Sequence, residues 1–198
     1  INIFMNNIHN NIHLKRLQAD TTSLLMSPPE DSSEKTSVEL ELLENVGRRL
    51  KQDDINSIKN YNGDILNHYL HLIDQFSLNV NKQEIVEIAE DLKTIVFLEK
   101  TKHARNRPIV VAEKQGFELK ETVQSESNGS YPSGHSTESM FFSLYFADQF
   151  PLYKEVFMEM ANKIANSRLL SSNNYPTDNL AGQTLAHVLF SNFKESRE

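Results

Sequence analysis

The 198-residue chain contains no cysteine and no tryptophan. Without cysteine it forms no disulfide and offers no thiol nucleophile or thiolate metal ligand, and either redox compartment tolerates such a chain. Long apolar runs are also missing. The richest one, Met140 to Phe146, is interrupted by Ser143 and falls far short of the roughly 18 residues that a membrane-spanning helix needs. We therefore expect no transmembrane segment.

Basic residues are scarce relative to acidic ones. The chain has 20 Lys and Arg against 27 Asp and Glu, which gives a formal net charge of −7. This balance opposes non-specific binding to nucleic acid or to an anionic bilayer. We expect no nucleic-acid partner, and any site for an anion must be built locally.

The length and an apolar content of 38% suit one domain with a packed core. Residues 1–24 are rich in Asn with little regular apolar spacing, which predicts an N-terminal arm. Residues 25–198 should form a single domain. Strand-like alternation is almost absent there, and apolar residues recur at helical spacing, so the predicted fold class is an all-α helical bundle.

The predicted first helix starts near Ser37 and has Val38, Leu42, Leu43 and Val46 at helical spacing. Asn62-Gly63 should separate two later helices. A polar segment over about residues 106–132 is predicted to be a loop. Three further helices are predicted over 133–150, 153–170 and from 177 to about 192.

Three separated segments carry the candidate site. The first runs from Lys100 to Arg107-Pro108. A solvated basic helix end is its ordinary interpretation, because cations are favoured at a helix C-terminus. However, Lys100 continues the apolar line of its helix, so its ammonium should project inward, where an unpaired cation is costly. A bound anion would remove that cost.

The second segment is Pro132-Ser133-Gly134-His135, directly before an aromatic-rich helix. A proline, a hydroxyl and a glycine at a helix N-terminus present backbone N–H groups that can wrap a phosphate oxygen. An ordinary helix cap with an exposed His135 is the alternative.

The third segment is Ser167-Arg168, followed after five residues by Asn174 and after three more by Asp178. Arg168 continues the inward stripe of its helix, so its guanidinium should point inward. Asp178 shares a face with the apolar residues of the next helix and can orient a side chain at position 174. A first-turn acid favoured by the helix dipole is the alternative for Asp178.

Together these segments supply three cations, a helix N-terminus and a histidine, which are the groups that a tetrahedral dianion requires. The pattern Lys-x6-Arg-Pro, Pro-Ser-Gly-His and Ser-Arg-x5-Asn-x3-Asp resembles the signature of the type 2 phosphatidic acid phosphatase superfamily, which includes vanadium haloperoxidases. It departs at one position, where the family has histidine and this chain has Asn174. Shorter matches, among them Gly129-Ser130-Tyr131 before the second segment, resemble soluble class A bacterial non-specific acid phosphatases. The resemblance covers about residues 25–195.

The resemblance implies a helical bundle of the phosphatase and haloperoxidase kind and a role for each matched residue. His135 would be the general acid, position 174 would carry the nucleophile that forms a phosphohistidine, and Asp178 would hold that imidazole in its reactive tautomer. The residues that would bind the phosphate oxygens are Lys100, Arg107, Ser133, Gly134 and Arg168.

Asn174 changes this expectation. The amide nitrogen of asparagine has its lone pair delocalised into the carbonyl and cannot attack phosphorus as imidazole does. We therefore expect a nearly inactive protein that still binds phosphate. Either the asparagine was introduced to trap a substrate complex, or the protein is a natural pseudoenzyme, a non-catalytic module that binds phosphate or a phospholigand.

The leading hypothesis is a metal-independent phosphatase that hydrolyses small phosphate monoesters and takes inorganic phosphate or vanadate as a ligand. No cofactor and no metal are expected, because the cations of the site are side chains. A vanadium haloperoxidase and a lipid phosphatase are less favoured alternatives. The resemblance implies export to the periplasm, and a soluble cytoplasmic location is the alternative. The wall that contacts the leaving group should come from residues 109–130 and from the N-terminal half of the chain. The surface permits a homo-oligomer.

Overall fold

The computed structural model describes residue 14, residues 25–124 and residues 127–197. The predicted arm, residues 1–24, lies outside the described residues except for Leu14. Leu14 is fully buried in the core, and its backbone N–H donates to Asp91 Oδ2 at 3.0 Å.

The described residues form α-helices and one short 3-10 turn, with no strand among them. The predicted all-α class is therefore confirmed. In chain order the helices are α1 (Glu34–Arg48), α2 (Gln52–Asn60), α3 (Ile65–Gln75), α4 (Lys82–His103), α5 (Pro108–Gln115), α6 (Gly134–Gln149), α7 (Lys154–Leu170) and α8 (Pro176–Glu195), with the 3-10 turn at Pro151–Tyr153 before α7.

Side-chain caps explain where several helices begin. The Ser33 hydroxyl accepts from the backbone N–H of Thr36 at the start of α1. Asp64 and Asn81 cap α3 and α4 in the same way, which satisfies amides that have no intrahelical partner. The predicted break at Asn62-Gly63 falls between α2 and α3, as expected.

The core is built around the aromatic helix α6, which packs most extensively against α7 and α8. Phe141, Phe142 and Phe146 are fully buried there. The aromatic side chains of this helix are therefore used in core packing. Among the described residues, no helix has both the length and the apolar character required to cross a bilayer.

Two local predictions are wrong. The segment predicted as a loop contains α5, in which Pro108 occupies the first helical position and Gly116 ends the helix at φ 81°. The predicted apolar face of α1 is also rotated, since Val38 and Leu42 are 58% and 48% exposed. Leu43 is buried as predicted, but its buried neighbours are Leu40 and the acidic Glu39, whose carboxylate binds a buried arginine described below.

Candidate functional site

The first predicted cation lies at the end of α4. Lys100 is buried, and its Nζ donates to the carbonyl oxygens of Gly129 at 2.6 Å and Ser130 at 3.4 Å. The helix is C-capped by Ala104, which adopts the left-handed conformation at φ 46° and donates its N–H to Lys100 O. This reversal carries the chain into the following basic residues. The prediction that Lys100 projects inward is confirmed.

Arg107 joins the loop before α6 to the loop before α8. The side chain is buried, with Nε donating to Asn128 O at 3.0 Å and one terminal nitrogen donating to Asn128 Oδ1 at 2.7 Å. The other terminal nitrogen donates to Asn173 O at 2.9 Å. Arg107 thus contacts the residue that directly precedes the predicted nucleophile position.

The N-terminus of α6 lies against both α4 and α8. Ser133 is fully buried, its Oγ accepts from Ser136 N, and its own N–H donates to Asp178 O at 3.0 Å. A Cβ on Gly134 would lie 3.3 Å from Val96 Cγ1, which is tighter than an ordinary contact, so glycine lets this helix end approach α4 closely. The N–H groups of Gly134 and His135 belong to the first turn, which has no intrahelical acceptor. His135 is half-buried.

Arg168 lies in the last turn of α7 and is only 2% exposed, which confirms its predicted inward direction. Its guanidinium donates to Oδ1 of the exposed Asn62 at 2.9 Å, so this contact lies where the interior meets solvent. Its carbonyl oxygen accepts from the backbone N–H groups of Asn173 and Asn174 at 3.1 and 3.4 Å. The end of α7 therefore fixes the backbone at position 174.

Asn174 and Asp178 are paired as the spacing predicts. Asn174 Nδ2 donates to Ser130 O at 2.8 Å and more weakly to Asp178 Oδ2 at 3.3 Å. Oδ2 also accepts from Tyr175 N at 2.9 Å. Because Lys100 Nζ and Asn174 Nδ2 share the acceptor Ser130 O, the ammonium and the amide lie side by side.

The three segments therefore converge. Contacts connect the predicted residues Lys100, Arg107, Ser133, Asn174 and Asp178 through Ser130 O, Asn173 O and Asp178 O. Gly134 follows Ser133 and lies near Lys100. Arg168 adjoins these residues through its carbonyl oxygen, which accepts from Asn173 N and Asn174 N, and His135 directly follows Gly134. The chemical roles of all eight residues remain predictions.

Sequence reasoning missed Arg105, which is buried and bound to two carboxylates. One terminal nitrogen donates to Asp178 Oδ1 at 2.7 Å, and the other donates to Glu39 Oε2 at 3.0 Å. Burial raises the pKa of Asp178, and the Arg105 guanidinium acts in the opposite direction. The available signal was an acidic residue, Glu39, in the middle of the buried face of α1.

Metal-ligating side chains do not cluster in the part of the chain that the structure describes: no group of three or more His, Asp or Glu there could hold an ion.

The site lies within a region that matches a known family. Residues 88–193, more than half of the chain, match the family model of the PAP2 superfamily. The chain belongs to the PAP2 superfamily. The matched range includes every predicted site residue, and membership confirms a phosphatase-type fold. A search of curated proteins found no match.

A solved PAP2 structure shares the fold. The chain is similar to the transmembrane PAP2-type phosphatidylglycerolphosphate phosphatase from Bacillus subtilis, with a TM-score of 0.62 and 16% sequence identity. The alignment covers 84% of this chain and 88% of that one. At this identity the likeness establishes the fold and not the substrate.

Proposed function

We propose that this PAP2 chain binds phosphate monoesters as a class A acid phosphatase does and that its hydrolytic step is disabled at position 174. One observation carries the proposal. The amide of Asn174, the residue that the resemblance aligns with the nucleophile, is held between Ser130 O and Asp178 Oδ2 among buried cations. An imidazole at the same position would meet the same carboxylate.

The charge distribution supports anion binding. Lys100, Arg107 and Arg168 are each at least nine-tenths buried in a chain whose net charge is −7. A dianion with its charge spread over several oxygens would neutralise cations held in such an environment, and charge-assisted hydrogen bonds would orient it. The first-turn N–H groups of α6 would add donors for one oxygen.

The chemistry assigned to the remaining residues follows from that position of the phosphate. His135 would protonate the leaving alkoxide, and Asp178 would hold an imidazole at position 174 so that its other nitrogen attacks phosphorus. With Asn174 in place no covalent intermediate forms. The expected loss of turnover is about 10⁴- to 10⁶-fold, by analogy with the removal of a triad member.

Reversion tests the proposal. The Asn174→His protein should hydrolyse a chromogenic phosphomonoester at least about 10⁴-fold faster than the parent. Asn174→Gln is the matched control, because it changes the size of the side chain but keeps an amide that cannot attack. The gain should persist in the presence of a chelator. Equal, background turnover in all three proteins would refute a disabled hydrolase.

The same refuting outcome would favour the second candidate function, a phosphate-binding protein without turnover. The hydrogen-bonded state of the Asn174 amide favours this candidate, since the asparagine fits the network as it stands. Phosphate binding by the parent, together with an inactive Asn174→His protein, would establish it.

The same assay tests whether the substrate is a small phosphate monoester or a phospholipid. The Bacillus subtilis neighbour is a phosphatidylglycerolphosphate phosphatase, whereas we propose a small monoester for this chain and, by the class A resemblance, a periplasmic location. The Asn174→His protein should therefore prefer the chromogenic monoester to micellar phosphatidylglycerolphosphate. The reverse preference would make the chain a lipid phosphatase.

A further inference from the structure

Both terminal nitrogens of Arg105 are engaged by acidic side chains. Its side chain is 1% exposed, and Asp178 and Glu39 lie at 2.7 and 3.0 Å. The same guanidinium donates to Thr177 Oγ1 at 2.8 Å, and its Cζ lies 3.8 Å above the centroid of the Tyr175 ring. Arg105 is thus in direct contact with Asp178, one of the predicted site residues.

The two oxygens of Asp178 have different partners. Oδ1 accepts from Arg105, and Oδ2 accepts from Asn174 Nδ2 and Tyr175 N. A carboxylate whose Oδ1 is held in this way cannot rotate about its Cβ–Cγ bond without breaking a charge-assisted hydrogen bond. Oδ2 is therefore kept towards position 174, where an imidazole N–H would be bound.

Glu39 holds Arg105 from the opposite side. Its Oε2 accepts from Arg105 and from Thr177 Oγ1, and its Oε1 accepts from Thr177 N at 2.7 Å. Thr177 is the second residue of α8, so α1 is tied to the helix that carries Asp178. The arginine is consequently fixed in place by a residue that does not touch position 174.

The charged and titratable groups around Asp178 come from several elements. Arg105 follows α4, Glu39 belongs to α1, Tyr175 precedes α8, and Tyr131 precedes α6. Arg105 is the cation in direct contact with the Asp178 carboxylate. Burial favours a protonated, neutral acid at this position, and a neighbouring cation favours the ionised form.

We propose that Arg105 is a positioning residue: through its bond to Oδ1 it keeps Asp178 ionised and directs Oδ2 at the side chain of position 174. This inference deepens the proposed function, and its catalytic consequence rests on that function. The ionisation and orientation of the Asp178 carboxylate do not rest on the proposed function, because they can be measured in the parent chain, which has Asn174.

The first experiment measures the carboxylate alone. The ¹³C resonance of the Asp178 carboxyl is followed against pH in the parent and in Arg105→Gln, Glu39→Gln and Lys102→Gln. The midpoint should move to higher pH in Arg105→Gln and to lower pH in Glu39→Gln, where the guanidinium has Asp178 as its sole acidic partner. Lys102, exposed at the same helix end, controls for loss of one positive charge.

Circular dichroism and thermal melting establish that each variant is folded. If Arg105→Gln does not fold, the Glu39→Gln arm still decides, because its expected shift has the opposite sign. A midpoint unchanged from the parent in the folded variants would overturn the inference.

The second experiment uses the Asn174→His background. Adding Arg105→Gln should lower kcat by about 100-fold with little change in KM, as expected when a reacting group is misplaced by a distant change. The loss of kcat should increase as the pH falls, because Asp178 in the Arg105→Gln variant takes up its proton at a higher pH than it does when Arg105 is present. A loss that is uniform across pH would indicate a purely structural role and would overturn the inference.

Arg105→Lys separates charge from geometry. A lysine keeps the positive charge but cannot reach Asp178, Glu39 and Thr177 together as the planar guanidinium does. The Asp178 midpoint should stay near that of the parent, while kcat in the Asn174→His background falls. Full activity would overturn the orienting role. An Asn174→His protein without activity would refute the proposed hydrolysis, and the carboxyl titration would still decide the role of Arg105.

Discussion

The approach of α8 to the N-terminus of α6 depends on the absence of one side chain. A Cβ at Gly182 would lie 2.5 Å from Ser133 O, 3.1 Å from Ser136 Cβ and 3.1 Å from Thr137 Oγ1. The nearest of these atoms is backbone and cannot turn away as a flexible side chain would. Gly182→Ala must therefore separate the two helices or displace Ser133, whose N–H is bonded to Asp178 O.

The magnitude follows from two opposing contributions. Alanine in place of glycine in a helix interior stabilises by about 1 kcal/mol, whereas overpacking of this kind costs about 1–3 kcal/mol. If overpacking costs about 3 kcal/mol, the net loss of unfolding free energy is about 2 kcal/mol, which lowers Tm by about 4–8 °C for a chain of this size. The matched control is Gly47→Ala in α1, where a Cβ would meet Lys120 Cβ at an ordinary 3.4 Å.

Thermal melting of the parent and both variants, with and without phosphate, is the assay. Gly47→Ala should raise Tm by up to about 2–4 °C and leave the stabilisation by phosphate unchanged. Gly182→Ala should lower Tm and reduce that stabilisation, because Ser133 caps the helix that would bind the anion. A rise in Tm for Gly182→Ala equal to that for Gly47→Ala would refute the close approach.

Two further predictions concern helix capping and pH. Ser133→Ala and Ser33→Ala each remove an N-cap and should each lower the free energy of unfolding by about 1 kcal/mol. Thermal melting with phosphate should show weaker phosphate binding only for Ser133→Ala. Equal effects of the two substitutions on phosphate binding would contradict the proposed site. Burial lowers the pKa of His68 and of His103 below the usual 6.5 of histidine, so the unfolded state binds more protons below that pH. Urea unfolding should therefore show stability falling as the pH drops through about 6.5, with a shallower fall in His103→Gln; an unchanged slope in that variant would contradict the burial argument.

The sequence was sufficient to predict the all-α class, the inward direction of Lys100 and Arg168, and the pairing of position 174 with Asp178. These features depend on helical periodicity and short spacings, which are local properties. The helix at Pro108–Gln115 was missed because it is short and lies among polar, glycine-bearing neighbours.

The face of α1 and the role of Arg105 were missed for a common reason. Glu39 is buried because it meets an arginine 66 positions along the chain and a backbone N–H still further away. No periodicity within α1 reveals such a partner, and a rule that places apolar residues inside rotates the helix the wrong way. Contacts of this kind depend on the tertiary fold rather than on local sequence.

The proposed function requires one site in which buried cations bind a tetrahedral anion, and calorimetric titration with inorganic phosphate tests for this site most directly. The parent should bind one phosphate per chain, and Lys100→Met and Arg168→Met should each weaken binding about tenfold or more, the loss expected for a hydrogen bond to a charged group. Lys93→Met, which removes an exposed cation from the same helix as Lys100, should leave the affinity unchanged. Absence of phosphate binding by the parent, or equal affinity in all four proteins, would contradict the central claim.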